Sequence, residues 1–229
     1  METNEKTMKT KVYNLVILDK SGSMESIRKE AVDGYNETLG TIRAAQNKHM
    51  DTQDHFVSLA AFCGCGIEMI YDKTPIQDAN PLKPEQYEPC CMTPLYDAIG
   101  TTIKQLKKDI KDDADAAVLV TIITDGCENA SKEWTGAAIK KLVEECKEEG
   151  WMFAFIGAGE EVVKEATTIS ITNTIVWEKS SEGTEAMFTE TNSASTRFFD
   201  KMAAMCDAST SADERIQMRK KFSEDYYNS

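Results

Sequence analysis

The chain has 229 residues, of which 41% are apolar, and a formal net charge of -13 at pH 7. This length suits one sizeable domain or two small ones, and this apolar share is typical of folded proteins, which excludes extensive disorder. A chain this acidic repels phosphates and attracts cations and basic surfaces, so nonspecific nucleic-acid binding is excluded.

No stretch of the sequence has the pattern of a targeting or membrane segment. The N-terminal stretch METNEKTMKTK is polar and charged, unlike a signal peptide, and no apolar run approaches the length of a membrane helix. The seven cysteines are an odd number spread along the chain, which does not indicate a disulfide framework. We therefore expect a cytoplasmic protein with reduced thiols and no membrane partner.

The first third of the chain predicts a strand, a helix and a hairpin. Residues 12–18 are a β-branched apolar run, which is typical of a buried strand. Apolar residues at every third or fourth position predict an amphipathic helix over about 25–47. Strands are predicted over 55–63 and 67–71, and the Cys-Gly-Cys-Gly turn at 63–66 would join them into a hairpin.

A long loop separates this hairpin from the next predicted helix. Residues 72–92 hold four of the five prolines, and loops of this length in compact domains are usually functional. Thr93 is predicted to cap a helix that Pro94 opens. Ala116 to Thr124 is a continuous apolar run that predicts another buried strand.

Helices and strands alternate through the rest of the chain. The predicted helices cover about 132–149, 160–167 and 183–205, and the predicted strands cover 151–156 and 174–177. The capping-box pattern of residues 211–214 predicts a terminal helix over about 212–226. This alternation predicts an α/β fold with a mostly parallel sheet covered on both faces, in which ligands bind beyond the carboxyl ends of the strands.

Hard oxygen donors collect at that edge of the predicted sheet, on loops or caps. They are Asp19, Ser21, Ser23, Thr93 and Asp125. Two carboxylates and three hydroxyls suit Mg²⁺, with Mn²⁺ and Ca²⁺ as alternatives, and Gly22 and Gly126 allow the backbone to approach closely. Taken singly, each donor could instead belong to a helix cap or a turn.

Three segments, in this order along the chain, resemble the von Willebrand factor A domain: DKSGSM after an apolar strand, then TPLYDAI, then VTIITDG. They match its metal-ion-dependent adhesion site, or MIDAS, which has the pattern D-x-S-x-S, a distant Thr and a distant Asp. The resemblance implies a Rossmann-like, doubly wound, six-stranded sheet with one antiparallel edge strand and helices on both faces. It covers residues 11–205, which leaves a polar extension over 1–10 and a helical tail over 206–229.

The resemblance also implies roles for the five donors. Ser21 and Ser23 would bind the metal directly and Thr93 directly or through water, while Asp19 and Asp125 would act mainly through waters. One open position on the metal would accept an Asp or Glu of a partner protein, and movement of the last long helix, around 183–205, would couple to the site. The small single-domain form resembles bacterial or phage proteins, some of them linked to stress-response or tellurite-resistance assemblies.

The cysteines leave several interpretations open. Five lie on predicted loops at the same edge, at positions 63, 65, 90, 91 and 127, whereas Cys146 falls on a core-facing helix position and Cys206 near the tail. Cys90-Cys91-Met92 stands where the family commonly has glycine. The five thiols could form a soft-metal site or a redox-sensitive pair. Their C-x-C and C-C spacings differ from those of zinc pairs, which favours cysteine as a small apolar residue.

Enzyme signatures are weak in this sequence. A haloacid dehalogenase-type phosphatase needs a second Asp as general acid where Ser21 stands. Gly157-Ala158-Gly159 lacks the third glycine of a dinucleotide loop, and neither His49 nor His55 is placed for a triad. We expect a non-enzymatic protein-binding module. The alternatives are a metal-independent scaffold of the same fold and a metal-dependent phosphate hydrolase.

Overall fold

The structure is a computed structural model that describes residues 9–113, 115–205, 210–223 and 226–227. Within these ranges it contains six strands: β1 (Thr10–Asp19), β2 (Gln53–Cys63), β3 (Gly66–Pro75), β4 (Ala117–Thr124), β5 (Met152–Ala158) and β6 (Thr174–Trp177). It also contains six α-helices: α1 (Arg28–Lys48), α2 (Leu95–Asp109), α3 (Gly136–Glu148), α4 (Glu160–Thr168), α5 (Ser181–Ala204) and α6 (Ala212–Ser223). Residues 1–8 of the predicted extension and Cys206 lie outside the described residues.

The strands form one sheet in the order β3-β2-β1-β4-β5-β6. The pairs β1–β2, β1–β4, β4–β5 and β5–β6 are parallel, and β2–β3 is the antiparallel hairpin at one edge. The predicted sheet is therefore confirmed. The strand order reverses between β1 and β4, and ligands of open α/β sheets bind at such a switch point. Leu18 is level with Ile123, so Asp19 and Thr124 come next to each other at the carboxyl ends.

Alternate residues of β1 enter two separate apolar layers. Val16 and Leu18 pack under α1 and α5 on one face, and Leu15 and Ile17 pack under α2, α3 and α4 on the other. A strand covered on both faces must be apolar throughout, which explains the continuous run in the sequence. No helix among the described residues is long and apolar enough to cross a membrane.

The predicted cap of α2 is wrong. The helix begins at Leu95, and Thr93 does not cap it. The first free amide groups of α2 are bound instead by side chains of the loop after β4, because Glu128 Oε2 accepts from the Tyr96 N–H at 2.8 Å and Ser131 Oγ accepts from the Asp97 N–H at 3.0 Å. Thr93 is thereby left available to the site described below.

Because of the same loop, the next helix begins at a later residue than predicted. The prediction began it at 132, but α3 starts at Gly136 because the Asp97 carboxylate accepts the backbone N–H groups of residues 132–134, at 2.8–2.9 Å. The helix predicted from about residue 25 begins at Arg28, because residues 22–27 form a 3₁₀ segment instead. The strand predicted over 67–71 extends to Pro75 through a bulge, where Ser58 Oγ accepts the Lys73 N–H at 2.9 Å.

The predicted capping box of the terminal helix is confirmed. Glu214 accepts the Ser211 N–H at 2.8 Å, and Ser211 Oγ accepts the Glu214 N–H at 3.2 Å. Arg215 and Arg219 of α6 form ion pairs, at 3.0 and 3.3 Å, with Asp115, which lies two residues before β4. These pairs attach α6 to the end of the sheet opposite the carboxyl edge of β4.

Helices α1 and α5 touch at a glycine, which gives a stability prediction. A Cβ on Gly34 would lie 1.9 Å from the ring of Phe188, so Gly34→Ala is expected to lower the free energy of unfolding by about 1–3 kcal/mol through overpacking. A Cβ on Gly40 of the same helix would have no neighbour within 4 Å among the described residues, so Gly40→Ala should stabilise the protein by up to about 1 kcal/mol. Urea unfolding of both variants tests this, and equal effects would contradict it.

Candidate metal centre

Asp19 is held rigidly at the end of β1. Its side chain is buried, Oδ1 accepts the Ser21 N–H at 2.7 Å, and Oδ2 accepts the Thr124 hydroxyl at 2.6 Å. The hydroxyl of Tyr87 donates to the Asp19 carbonyl oxygen at 2.5 Å. Both carboxylate oxygens are therefore engaged by the protein, which fixes the direction in which the carboxylate faces.

The environment of Asp19 favours a nearby cation. Burial raises the pKa of Asp19 to about 6, and the hydrogen bonds from Thr124 and Ser21 oppose that rise. The neighbouring Asp125 carboxylate raises it further by a smaller amount. Two carboxylates held together in a poorly hydrated site repel each other, and a cation placed beside them relieves this repulsion.

Four of the five predicted donors are connected by hydrogen bonds, and Asp19 is joined to the other three through the Ser21 N–H. Ser21 Oγ and Ser23 Oγ are 3.2 Å apart, and the Ser23 hydroxyl donates to Asp125 Oδ1 at 2.7 Å. Ser21 has an extended backbone conformation and immediately precedes the 3₁₀ segment. This turn brings the two serine hydroxyls together beside Asp19, as their alternate spacing predicts.

Thr93, the fifth predicted donor, reaches the site from the loop before α2. Its side chain is buried, and a Cβ added to Gly126 would lie 3.2 Å from its Oγ1. The backbone of Thr93 is paired with Asn129, whose Oδ1 accepts the Thr93 N–H at 2.9 Å and whose N–H donates to the Thr93 carbonyl oxygen at 3.1 Å. The Thr93 hydroxyl is thus held against the loop that carries Asp125.

Lys179 also belongs to this site, and sequence reasoning missed it. Its ammonium lies 2.6 Å from Asp125 Oδ2, a buried oxygen that accepts no well-aligned hydrogen bond from the described residues, and it also donates to the Ser23 carbonyl oxygen. Lys179 follows β6, whose carboxyl end was predicted to lie at this edge of the sheet. That position was the available signal, but it could not indicate which carboxylate the lysine would contact.

Two further supporting residues were not predicted. The Thr124 hydroxyl donates to Asp19 Oδ2 at 2.6 Å and accepts the Gly126 N–H at 3.2 Å, so it links β1 to the loop after β4. Its place directly before Asp125 was the available signal. Tyr87 comes from the long proline-containing loop, which was predicted to be functional without naming a residue.

The donor set fits a hard divalent cation. Hydroxyl and carboxylate oxygens suit Mg²⁺, and the buried Asp125 Oδ2 already has an ammonium as its cationic neighbour. Gly126 leaves room where a side chain would crowd the Thr93 hydroxyl. The arrangement can therefore bind and orient a cation.

Four cysteines come together next to this site. Their closest Sγ separations are 3.3 Å for Cys63–Cys90, 3.7 Å for Cys65–Cys90 and 3.1 Å for Cys65–Cys91. The interpretation of these residues as small apolar side chains is wrong for Cys65 and Cys91, which are exposed. The contact with Cys63, together with burial, raises the pKa of Cys90 to about 12.

The two remaining cysteines among the described residues, Cys127 and Cys146, lie outside this group of four. Cys146 is buried in the core, as predicted. Cys127 is exposed at the surface, and partial burial of its thiol, followed by the nearby carboxylates of Glu165 and Glu161, raises its pKa.

No family model matches the chain, and no curated protein matches it by sequence. Solved structures do match. The pilus adhesin SpaC from Lactobacillus rhamnosus GG superposes with a TM-score of 0.60 and 15% identity, over 84% of this chain and 30% of SpaC. Proximal thread matrix protein 1 from the mussel byssus gives a TM-score of 0.57 and 10% identity, over 80% of this chain and 46% of that protein.

The VWA domain of SpRpn10 matches almost over its full length. Its TM-score is 0.53 at 10% identity, over 80% of this chain and 95% of the domain. A second structure of the mussel protein, with a zinc-occupied MIDAS motif, has a TM-score of 0.51 at 19% identity, over 79% of this chain and 47% of that protein. The chain thus spans less than half of SpaC and of the mussel protein. Likeness at these identities establishes the fold, and this chain has the α/β fold of von Willebrand factor A domains.

Proposed function

We propose that this chain is a protein-binding module that holds Mg²⁺ at its carboxyl edge and, through that ion, binds an Asp or Glu side chain of a partner protein. The metal would be held by Asp19, Ser21, Ser23, Thr93 and Asp125. The observation that carries the proposal is the continuous set of hydrogen bonds from Asp19 through the two serines to Asp125, at the switch point of the sheet. Mn²⁺ and Ca²⁺ are the alternative ions, because both also bind carboxylate and hydroxyl oxygens.

The hydrogen bonding of Asp19 supports binding of an external carboxylate. Both of its oxygens already accept hydrogen bonds, from the Ser21 N–H and the Thr124 hydroxyl, so it can act on the ion from behind the serine hydroxyls. Neutral hydroxyls withdraw little positive charge from a cation. A cation held in this way remains electron-poor and can accept a strong carboxylate donor from outside.

The charge of the chain supports the same role. With a net charge of -13, this protein repels an acidic partner surface unless a cation lies between them. A divalent ion at the carboxyl edge reverses the local sign and makes binding of a carboxylate favourable. The interaction should therefore depend on the metal rather than merely be strengthened by it.

The two alternatives remain distinguishable. A metal-independent scaffold would use the fold without the ion. A phosphate hydrolase of the haloacid dehalogenase type would need a general acid two residues after Asp19, and Ser21 stands at that position. A place in a stress-response or tellurite-resistance assembly of bacteria or phages rests on the sequence resemblance and stays a prediction.

Thermal unfolding with added Mg²⁺ tests the metal site. At Mg²⁺ tenfold above its dissociation constant, the wild type should gain about 1.4 kcal/mol, or about 3–5 °C in Tm. Ser21→Ala should lose this gain. Ser26→Ala, an exposed serine of the same 3₁₀ segment, should keep it. An equal rise in Tm in all three proteins, at matched ionic strength, would show that Mg²⁺ does not act at the proposed site.

Retention on the immobilised protein tests the partner. A partner should be retained in Mg²⁺, released by a chelator, and absent from a Ser21→Ala column. Replacing its acidic residues one at a time with amides should then identify a single carboxylate that is required. Retention that a chelator leaves unchanged would favour the metal-independent scaffold.

A further inference from the structure

The tip of the β2–β3 hairpin and the loop before α2 bring four thiols into one place. Cys63 and Cys65 flank Gly64 at the hairpin tip, and Cys90 and Cys91 are adjacent in the loop. We call these four residues the thiol cluster. The sulfurs of Cys63, Cys65 and Cys90 all lie within 4.8 Å of one another, and that of Cys91 lies 3.1 Å from Cys65.

The separations among the sulfurs of Cys63, Cys65 and Cys90 are close to those of a tetrahedral thiolate site, and Cys91 adjoins this group through Cys65. Zinc binds cysteine sulfur at about 2.3 Å, so two sulfurs of a tetrahedral site are about 3.8 Å apart. The observed contacts of 3.1–3.7 Å need only a small outward movement of the side chains to reach that value. We propose that the thiol cluster binds Zn²⁺ through Cys63, Cys65 and Cys90, with Cys91 as the fourth ligand.

The backbone around the cluster is arranged to bring the two loops together. A Cβ on Gly64 would lie 3.0 Å from the backbone nitrogen of Met92 and 3.1 Å from Cys91 Cβ, so glycine permits this close approach. Cys91 has a φ of 63°, a left-handed conformation that few non-glycine residues adopt. Such uncommon conformations occur frequently at functional sites.

The contact pattern favours one shared ion over disulfides. A disulfide joins two sulfurs, whereas here Cys90 contacts both Cys63 and Cys65, and Cys65 contacts both Cys90 and Cys91. One cation can satisfy all of these contacts at once. On binding, each coordinating thiol transfers its proton to solvent and becomes a thiolate, so no oxidant or reductant is required.

The thiol cluster is separate from the oxygen site but is linked to it through the backbone. The Cys90 N–H donates to the Lys20 carbonyl oxygen at 2.9 Å, and the Gly22 N–H donates to the Cys91 carbonyl oxygen at 3.1 Å. Soft thiolates select Zn²⁺, and hard oxygens select Mg²⁺. A filled thiol cluster would therefore fix the loop that carries Ser21 and Ser23 without competing for the same ion.

Titration of the reduced, metal-free full chain with Co²⁺ tests the proposal. Sulfur-to-Co²⁺ charge-transfer absorption reports thiolate ligands and is absent when all ligands are oxygens. We expect it to saturate at one equivalent and to be removed by adding Zn²⁺. Cys65→Ser and Cys90→Ser should each lose most of the absorption. Cys127→Ser, a cysteine outside the cluster, and Ser21→Ala, at the oxygen site, should keep it.

A stability measurement keeps the test valid if a variant folds poorly. Free Zn²⁺ at about 100-fold above its dissociation constant should raise the Tm of Ser21→Ala by roughly 5–10 °C. Cys65→Ser in that background should lose this rise. Its exposed side chain makes a folding defect in the metal-free protein unexpected, and circular dichroism would check this.

Three results would overturn the proposal. The first is no charge-transfer absorption in the wild type. The second is absorption that persists unchanged in Cys90→Ser. The third is a pair of observations: the protein as isolated has lost two hydrogen atoms per cysteine pair by native mass spectrometry, and the same protein takes up no metal after reduction. That result would show that the cluster forms disulfides instead.

Discussion

Asp19→Asn is expected to remove the Mg²⁺ response and, at the same time, to stabilise the metal-free protein. A carboxylate that supports a metal from behind its direct ligands typically contributes about 10–100-fold in affinity. At Mg²⁺ tenfold above the wild-type dissociation constant, the Tm shift should therefore fall from about 3–5 °C to below about 1 °C. The metal-free gain follows from the burial of the same carboxylate.

The direction of the stability change follows from proton linkage. The pKa of Asp19 is raised from 3.8 to about 6 on folding, so the folded state binds this proton more tightly than the unfolded state. The free energy of unfolding then decreases as the pH rises from about 4 to about 6, by up to about 3 kcal/mol. An asparagine avoids this cost at pH 7. Its Oδ1 still accepts the Ser21 N–H, and Thr124 keeps the Gly126 carbonyl oxygen as acceptor.

Thermal unfolding at pH 7 in the presence of a chelator measures how much more stable metal-free Asp19→Asn is than metal-free wild type. We expect its free energy of unfolding to be higher by about 1–3 kcal/mol. Asp51→Asn, at an exposed turn position, removes the same formal charge without burial and should change the Tm little. The difference between Asp19→Asn and wild type should also shrink as the pH is lowered toward 4. A metal-free Asp19→Asn protein less stable than wild type would mean that Asp19 stabilises the fold rather than being held there for a ligand.

Four of the five oxygen donors of the candidate metal centre were predictable because each belongs to a local pattern. An apolar strand that ends at an acid places Asp19 and Asp125 at the same edge once the sheet is parallel. The alternate spacing of Ser21 and Ser23 then brings two hydroxyls beside Asp19. For these four residues only the parallel pairing of β1 with β4 has to be known, and the structure places them together as the pattern indicates.

The remaining features depend on contacts between distant segments. Glu128 and Ser131 cap α2 in place of Thr93 because the loop after β4 folds over that helix, and no pattern near Thr93 records this. The thiol cluster forms only when the hairpin tip meets the loop before α2, and the spacings within each segment carry no such information. Lys179 contacts a carboxylate 54 positions earlier in the chain, across two intervening strands.

Lys179→Met is expected to tighten Mg²⁺ binding by about 10–100-fold. In the metal-free protein the ammonium is the cationic neighbour of Asp125, whose side chain is 1% exposed, so removing it leaves a buried carboxylate without a counter-charge. That change should lower metal-free stability by about 1–3 kcal/mol, less than for a fully buried pair because Lys179 is 28% exposed. Bound Mg²⁺ supplies the missing charge, so the metal-bound state should lose little.

The stability that the metal-free variant loses equals the free energy that it gains in Mg²⁺ binding. This holds because the metal-bound state loses little, and the free energies around the cycle of substitution and metal binding must sum to zero. Calorimetric titration with Mg²⁺ gives the dissociation constant, and unfolding in a chelator gives the stability. Lys164→Met, an exposed lysine 3.9 Å from Glu160, should alter neither quantity by more than a few tenths of a kcal/mol. An unchanged dissociation constant in Lys179→Met would show that the ammonium does not compete with the metal.

The position of Lys179 gives this exchange a consequence beyond the site. Ser180, the next residue, caps α5 by accepting the Gly183 N–H at 3.0 Å. A cation that displaces the ammonium from Asp125 therefore frees the residue that adjoins the cap of α5. We expect Mg²⁺ to speed amide hydrogen exchange in the first turn of α5 in the wild type, and to have no such effect in Lys179→Met. Identical amide exchange rates with and without Mg²⁺ in the wild type would show that Mg²⁺ binding is not coupled to α5.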